Sequence, residues 1–257
     1  MGSATPTRPQ LGLMKVFDGV LYNGEVDMLE CRLWELADIV DLFVVIEGDK
    51  SFTGQPKIRE SRERFLPWAD KLHWVDFVSP ENPNPWIVEQ TTRNYLFHVF
   101  NELAVQNGDV VTVCDVDEIW SPSMLERFCH GWHSVVMRHL AYSVHWEAPM
   151  ELTCVAGPWG QRTSSANKMR QTERYSMPQV VGGWHLGWMG GLDRCVNKLR
   201  QFSHQELNVG DIESKMRDCL RDGVFVEGTR LNEVEIAADW PKWVVAGKHP
   251  DSWRFRR

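Results

Sequence analysis

The sequence predicts an α/β fold, a mostly parallel central sheet flanked by helices. Two observations predict it. Strand-like and helix-like segments alternate through the first half of the 257-residue chain, the pattern of sheets whose crossovers are helical. No internal repeat, linker or low-complexity block divides the chain, so one domain is expected over residues 14–257.

The elements follow in order. KVFDGVLY (15–22) is a strand candidate. EVDMLECRLWEL (25–36) places Val26, Leu29, Leu33 and Leu36 on one face of an amphipathic helix, with Arg32 on the polar face near Glu35. DLFVVIEG (41–48) is a buried strand ending in Glu47, and KLHWVDFV (71–78) is the third strand. Between them SFTGQPKIRE is a Gly/Pro loop. The proline-broken ENPNPW hands over to a helix at about 86–106, closed by Asn107-Gly108-Asp109. VVTVC (110–114) is the fourth strand, and Ser121-Pro122 opens a short helix. SVVMRHLAYSVHW (134–146) reads as one long strand, and the polar residues 156–180 as a loop or lid. QVVGGWHLGWM (179–189) reads as a strand, a Gly turn and a strand. Helices are expected at 192–206 and 212–222, the second capped by Asp211.

Composition excludes several classes. Net charge is −7 and Lys/Arg blocks are short, which disfavours a nucleic-acid partner. No apolar run approaches the ~20 residues of a membrane span. The opening ten residues are polar, so a disordered lead is expected over 1–13, and no signal peptide. Six irregularly spaced cysteines point to free thiols, with Cys31, Cys114, Cys195 and Cys219 buried. A reducing, cytoplasmic location is the corresponding expectation. The thirteen tryptophans fill cores or stack on sugar rings.

The chemistry concentrates in VVTVCDVDEIW (110–120), an apolar run ending in Asp115, Asp117 and Glu118. With a period of two, Asp115 and Asp117 share a face. At the carboxyl end of a strand, where α/β sheets bind ligands, such a pair suits a hard divalent cation. Two enzyme classes use this device. One is the nucleotide-sugar glycosyltransferase. The other is the haloacid-dehalogenase-like phosphatase, with Asp115 as nucleophile. Against the second, Glu118-Ile119 stands where its Thr or Val belongs, and the chain contains no Asp-Asp. A non-catalytic sugar-binding protein is a third reading.

Five segments resemble glycosyltransferase family 17, in that family's order: FDGVLYNGEVDMLECRLWEL, VDLFVVIEGDKSFTGQPK, PWIVEQTTRN, VVTVCDVDEI and GGWHLGWMGGLDRCVNKLRQFSHQELN. They span residues 17–208. Asn23-Gly24-Glu25 carries one residue more than the usual Asn-Glu. The resemblance implies a GT-A fold, with a nucleotide-sugar half at about 14–120 and an acceptor half at about 121–257. It further implies a UDP-N-acetylglucosamine donor, a glycan acceptor, inverting transfer, and Asp115 and Asp117 as the D-x-D that holds Mn²⁺ or Mg²⁺.

Inverting transfer needs a carboxylate base for the acceptor hydroxyl. Glu206 is the first candidate, with Asp211 and Glu213 as rivals, and His204 is placed to orient Glu206 or contact phosphate. His185, inside GGWHLGWMGG, is the candidate third metal ligand or diphosphate contact, with His249 as its rival. Trp184 and Trp188 are candidates for the sugar pocket, Glu47 for the uridine, Lys57 for a phosphate and Arg93 for the donor site. The tryptophans, Lys57 and Arg93 have bland counterparts: core packing, a solvated lysine, and a surface Glu89–Arg93 pair one helical turn apart.

Overall fold

The computed structural model describes residues 14–57, 59 and 61–254. The lead expected at 1–13 lies outside the described residues. The chain runs β1 (Val16–Tyr22), α1 (Val26–Leu36), β2 (Leu42–Gly48), β3 (Leu72–Phe77), α2 (Pro85–Glu102) and β4 (Val110–Asp115). It continues with β5 (Glu118–Ile119), α3 (Leu125–His130), β6 (His133–Leu140), β7 (Trp146–Pro158), α4 (Ala166–Gln171) and β8 (Gln179–His185). Then come α5 (Leu192–Gln201), α6 (Ile212–Asp222), β9 (Asn232–Glu233) and α7 (Lys242–Val245). One sheet holds them in the order β3-β2-β1-β4-β7-β6-β8-β5, with β9 on β7.

The first four strands are parallel, and the sheet turns mixed where β7 pairs antiparallel to β4. The expected α/β architecture is therefore present, with a mostly parallel centre flanked by helices. Leu29 and Leu33 of α1 pack with Val20, Phe43 and Val45 in one core cluster. Leu96 and Phe100 of α2 pack with Phe17, Val44 and Ile46 in another. Successive strand residues alternate faces, so the two helices cover opposite faces of the sheet. Asn84 caps α2 by accepting from the Trp86 N–H, and Pro85 opens the helix.

Several elements differ from expectation. The long strand over 134–146 is β6, a turn in which Tyr142 takes a left-handed backbone, and the start of β7. The loop expected from 156 is strand through Pro158, and the stretch then forms α4. Pro149 and Gly157 disguise β7 in the sequence. Gly157 is required by close approach, since a Cβ there would lie 2.7 Å from the Trp132 ring. The second helix stops at Glu102, just before left-handed Ala104, and the helix expected to 206 stops at Gln201. The Asp211 cap and the 212–222 helix are as expected, closed by left-handed Gly223.

Arg32 overturns its assignment to a polar face beside Glu35. It is fully buried and grips Asp18 with two nitrogens, while its third donates to the Glu118 carbonyl at 2.6 Å. Thr112 and Trp120 also donate to Asp18. A charge taken from water needs a partner, and here the partner is a strand aspartate that periodicity alone does not reveal. All six cysteines are free; Cys31, Cys114, Cys154 and Cys195 are buried, and Cys219 is half-buried. Nine of the thirteen tryptophans are buried, which fits core filling. No helix among the described residues is long and apolar enough to cross a membrane.

Candidate functional site

A cavity of about 1010 Å³ opens at the carboxyl ends of β1, β2 and β4, where Tyr22, Gly48 and Asp115 meet it. Asp117, Glu118, His185 and Lys198 line the same space. The period-two argument for Asp115 and Asp117 ends early, because β4 stops at Asp115 and a turn follows. The turn still brings Asp117 to the cavity.

Protein cations surround these acids. Asp115 accepts from Arg93 at 2.9 Å and lies 3.5 Å from Arg170. Burial opposes its charge, yet the two guanidiniums hold the carboxyl below its ordinary value. Asp117 accepts from Lys198 at 2.9 Å and lies 3.7 Å from His185 Nε2. Burial opposes its charge too, and Lys198 and His185 more than offset it, so the carboxyl lies well below the usual range. Glu118 is buried, paired to Arg170, and accepts the Asp115 N–H at 2.9 Å. Burial raises its pKa against the pull of Arg170. It thus braces the turn from behind.

His185 sits between two carboxylates. Its Nε2 faces Asp117, and its Nδ1 lies 2.9 Å from Glu151 Oε2. Burial alone disfavours the imidazolium; Asp117 and Glu151 reverse this and push the pKa up to about 10. His139 stacks on the His185 ring with centroids 4.5 Å apart and an angle of 18°. Burial, helped by the His185 charge, pushes His139 down to about 3.

The other nominated residues divide. Lys57 lines the cavity and donates to the Tyr22 carbonyl at 3.3 Å; burial lowers its pKa. Arg93 is not a surface partner of Glu89: it is 1% exposed, holds Glu89 at 2.7 Å, and anchors Asp115 from below the cavity floor. Trp188 lines the cavity, whereas Trp184 packs in the core cluster and faces a neighbouring groove. Glu47 is buried in an ion pair with Arg62 at 3.0 Å and does not line the cavity, although Ile46 and Gly48 beside it do. His204 lines the cavity with its Nδ1 2.6 Å from Glu206, whose own side chain lies exposed outside the lining. Asp211 is spent on its helix cap, accepting from Ser214 N–H at 3.1 Å, and Glu213 pairs with Arg217 on the surface. His249 is buried against Trp243 and Trp253 at the C-terminal end, away from the cavity lining.

Four site residues escaped the sequence reading: His139, Glu151, Arg170 and Lys198. The signal for His139 was a histidine within an apolar strand pattern. Glu151 and Arg170 fell in or beside the stretch read as a loop, where no periodicity marks them. Lys198 looked like an ordinary polar position on its helix.

The glycosyltransferase family 17 model matches residues 6–223. The human β-1,4-mannosyl-glycoprotein 4-β-N-acetylglucosaminyltransferase is 24% identical over 84% of this chain and 49% of its own length, and the rat protein matches equally. The chain thus spans about half the length of the curated relatives it matches. Among solved structures, the M. tuberculosis glucosyl-3-phosphoglycerate synthase superposes over 91% of this chain and 92% of its own, with TM-score 0.35 and 12% identity. The match across most of the chain, with the acids of VVTVCDVDEI lining the cavity, shows that the chain belongs to glycosyltransferase family 17.

Proposed function

We propose that this chain transfers a sugar, N-acetylglucosamine by the family pattern, from a UDP-sugar to a glycan hydroxyl with inversion. The carrying observation is the cavity at the strand ends, lined by Asp115 and Asp117, in a member of this family. Lys57 and Lys198 line it, which suits a diphosphate leaving group whose charge grows in the transition state. Arg93 and Arg170 keep Asp115 ionised, and Trp188 offers an apolar face for a sugar.

The donor set fits a divalent cation. Asp117 and His185 face one another across 3.7 Å; Asp117 and Glu151 favour the imidazolium of His185, so an ion bound there would take the place of that proton. Asp117 and His185 would hold the ion, with Asp115 beside it. Bound there, it would neutralise the diphosphate as a Lewis acid.

For the acceptor proton, Glu206 reaches the cavity through His204, whose Nδ1 it holds at 2.6 Å. A carboxylate that holds one nitrogen of an imidazole fixes the ring's tautomer and orientation. Glu206 thus acts through His204 at the cavity edge, and Asp211 plays no part.

The test is transfer or hydrolysis of UDP-N-acetylglucosamine with and without Mn²⁺, with calorimetry for binding. Metal-dependent turnover is expected, with no release of p-nitrophenol from its phosphate ester. Failure to bind any UDP-sugar with metal present would overturn the reading.

A further inference from the structure

We propose that Lys198 and the divalent cation exchange places at Asp117, so that binding of the ion releases the lysine to the donor diphosphate. The release to a diphosphate rests on the transferase reading, whereas the competition for Asp117 stands on the side chains alone.

Two cationic groups converge on one oxygen. Asp117 Oδ2 lies 2.9 Å from Lys198 Nζ and 3.7 Å from His185 Nε2. An ion taken up by Asp117 and His185 needs the oxygen that the ammonium already holds. Two positive charges at contact distance repel, and a divalent charge repels an ammonium twice as strongly as a monovalent one does. The ion and the lysine therefore compete, and the ion carries the greater charge for the carboxylate.

Among the cations on the acid pair, Lys198 is the one built to leave. Asp115 is held through both oxygens, by Arg93 and by Arg170. These side chains are 1% and 7% exposed, and each also grips a second carboxylate, Glu89 for Arg93 and Glu118 for Arg170. Lys198 is 28% exposed, lines the cavity, and among the described residues pairs with Asp117 alone. A guanidinium is a rigid fork suited to permanent pairing, whereas an ammonium is a point charge on a flexible four-carbon stem. The permanent partners thus stand on Asp115 and the exchangeable one on Asp117.

The helix that carries Lys198 keeps the freed charge in the cavity. Arg194, Asn197, Lys198 and Gln201 of α5 line that space with helical spacing, while Cys195, Val196 and Leu199 bury the opposite side. The end of α5 is tied to the nucleotide half: Gln201 accepts from Asn23 Nδ2 at 3.1 Å, and the Arg200 carbonyl accepts from Thr53 Oγ1 at 3.0 Å. The helix stays in place and only the lysine stem swings. The Trp188 ring, 5.5 Å from Nζ, gives that stem an apolar surface to lie on. A diphosphate entering beside Asp117 supplies the ammonium with a new anionic partner. Ion and donor then strengthen each other's binding, and the coupling is reciprocal. Lys198 acts in this as a positioning residue.

The experiment titrates the nucleotide-free full chain with Mn²⁺ at one fixed pH and follows the free ion by electron paramagnetic resonance. Lys198→Met is expected to bind Mn²⁺ about 3- to 10-fold more tightly than wild type. Lys198→Arg, which keeps the charge, should stay within about twofold. Calorimetry with UDP at saturating Mn²⁺ should show the opposite change, with Lys198→Met binding UDP about 10-fold more weakly. A lysine that only supports the fold does not move the two affinities in opposite directions. Lys198→Gln keeps the test open if Lys198→Met fails to fold, and thermal unfolding without metal confirms each fold. Mn²⁺ affinity unchanged or weakened in both variants, or no Mn²⁺ binding by any form, overturns the competition, and unchanged UDP affinity overturns the release. UDP-sugar turnover is measured separately: tighter Mn²⁺ binding in Lys198→Met without wild-type turnover leaves the competition standing and removes the transferase reading, and turnover without that tightening does the reverse.

Discussion

Two buried clusters of carboxylates and cations lie within a few residues of each other along β4, and they differ in one respect. Around Asp18 every group is used: Arg32, Thr112 and Trp120 fill its lone pairs, and both Asp18 and Arg32 are fully buried. Around Asp115 and Asp117 the same chemistry is left open, with Asp115 36% exposed to a large cavity. The closed ion pair leaves no oxygen for a further partner, whereas the open one leaves its carboxylates lining the cavity. Arg32 joins the two, since its remaining nitrogen donates to the Glu118 carbonyl behind the site.

The largest expected effect breaks the closed cluster. Arg32→Met strands Asp18 in the core and should cost about 3–5 kcal/mol in a urea unfolding curve. Retention of wild-type stability would mean the two clusters are not different in kind. The open cluster should respond oppositely. Asp117→Asn is expected to lower turnover by about 10²–10³-fold while costing less stability than Arg32→Met, because its partner Lys198 is 28% exposed at the cavity.

Acid pH sharpens the same contrast. Burial raises the Asp18 pKa, but Arg32 and the donated hydrogen bonds lower it further, for a net depression below 3.8. A depressed carboxyl contributes stability that is present above its unfolded value and lost as pH falls through the folded value. Unfolding monitored below pH 3.8 should therefore steepen, and Asp18→Asn should flatten that limb.

Two smaller effects test the frame around the clusters. Gly157→Ala drives a methyl into the Trp132 ring beneath β7 and should cost about 1–3 kcal/mol by overpacking, read from the same unfolding curves. Asp211→Ala removes a helix cap and should cost about 0.5–2 kcal/mol with turnover unchanged. A large loss of turnover in Asp211→Ala would restore that residue as a base and remove the assignment through His204.

Local pattern carried far into this protein. Hydrophobic runs marked β1, β2, β3 and β4, a 3.6-residue stripe marked α1, and the Asp211 cap sat where the sequence put it. The strand-end position of Asp115 was likewise readable, because burial makes an apolar run ending in acids conspicuous. Those features depend only on neighbours along the chain.

What only the tertiary structure decided is which charges meet. Arg170 reaches Glu118 across 52 residues and Lys198 reaches Asp117 across 81. His139, Glu151 and His185 converge because three strands lie side by side with one register irregularity. Strand order, register and bulges set such contacts, and no local periodicity encodes them. The sequence alone determined that acids stand at the end of a buried strand; the fold chose their partners, because a buried charge is stabilised by whatever counter-charge the packing delivers to it.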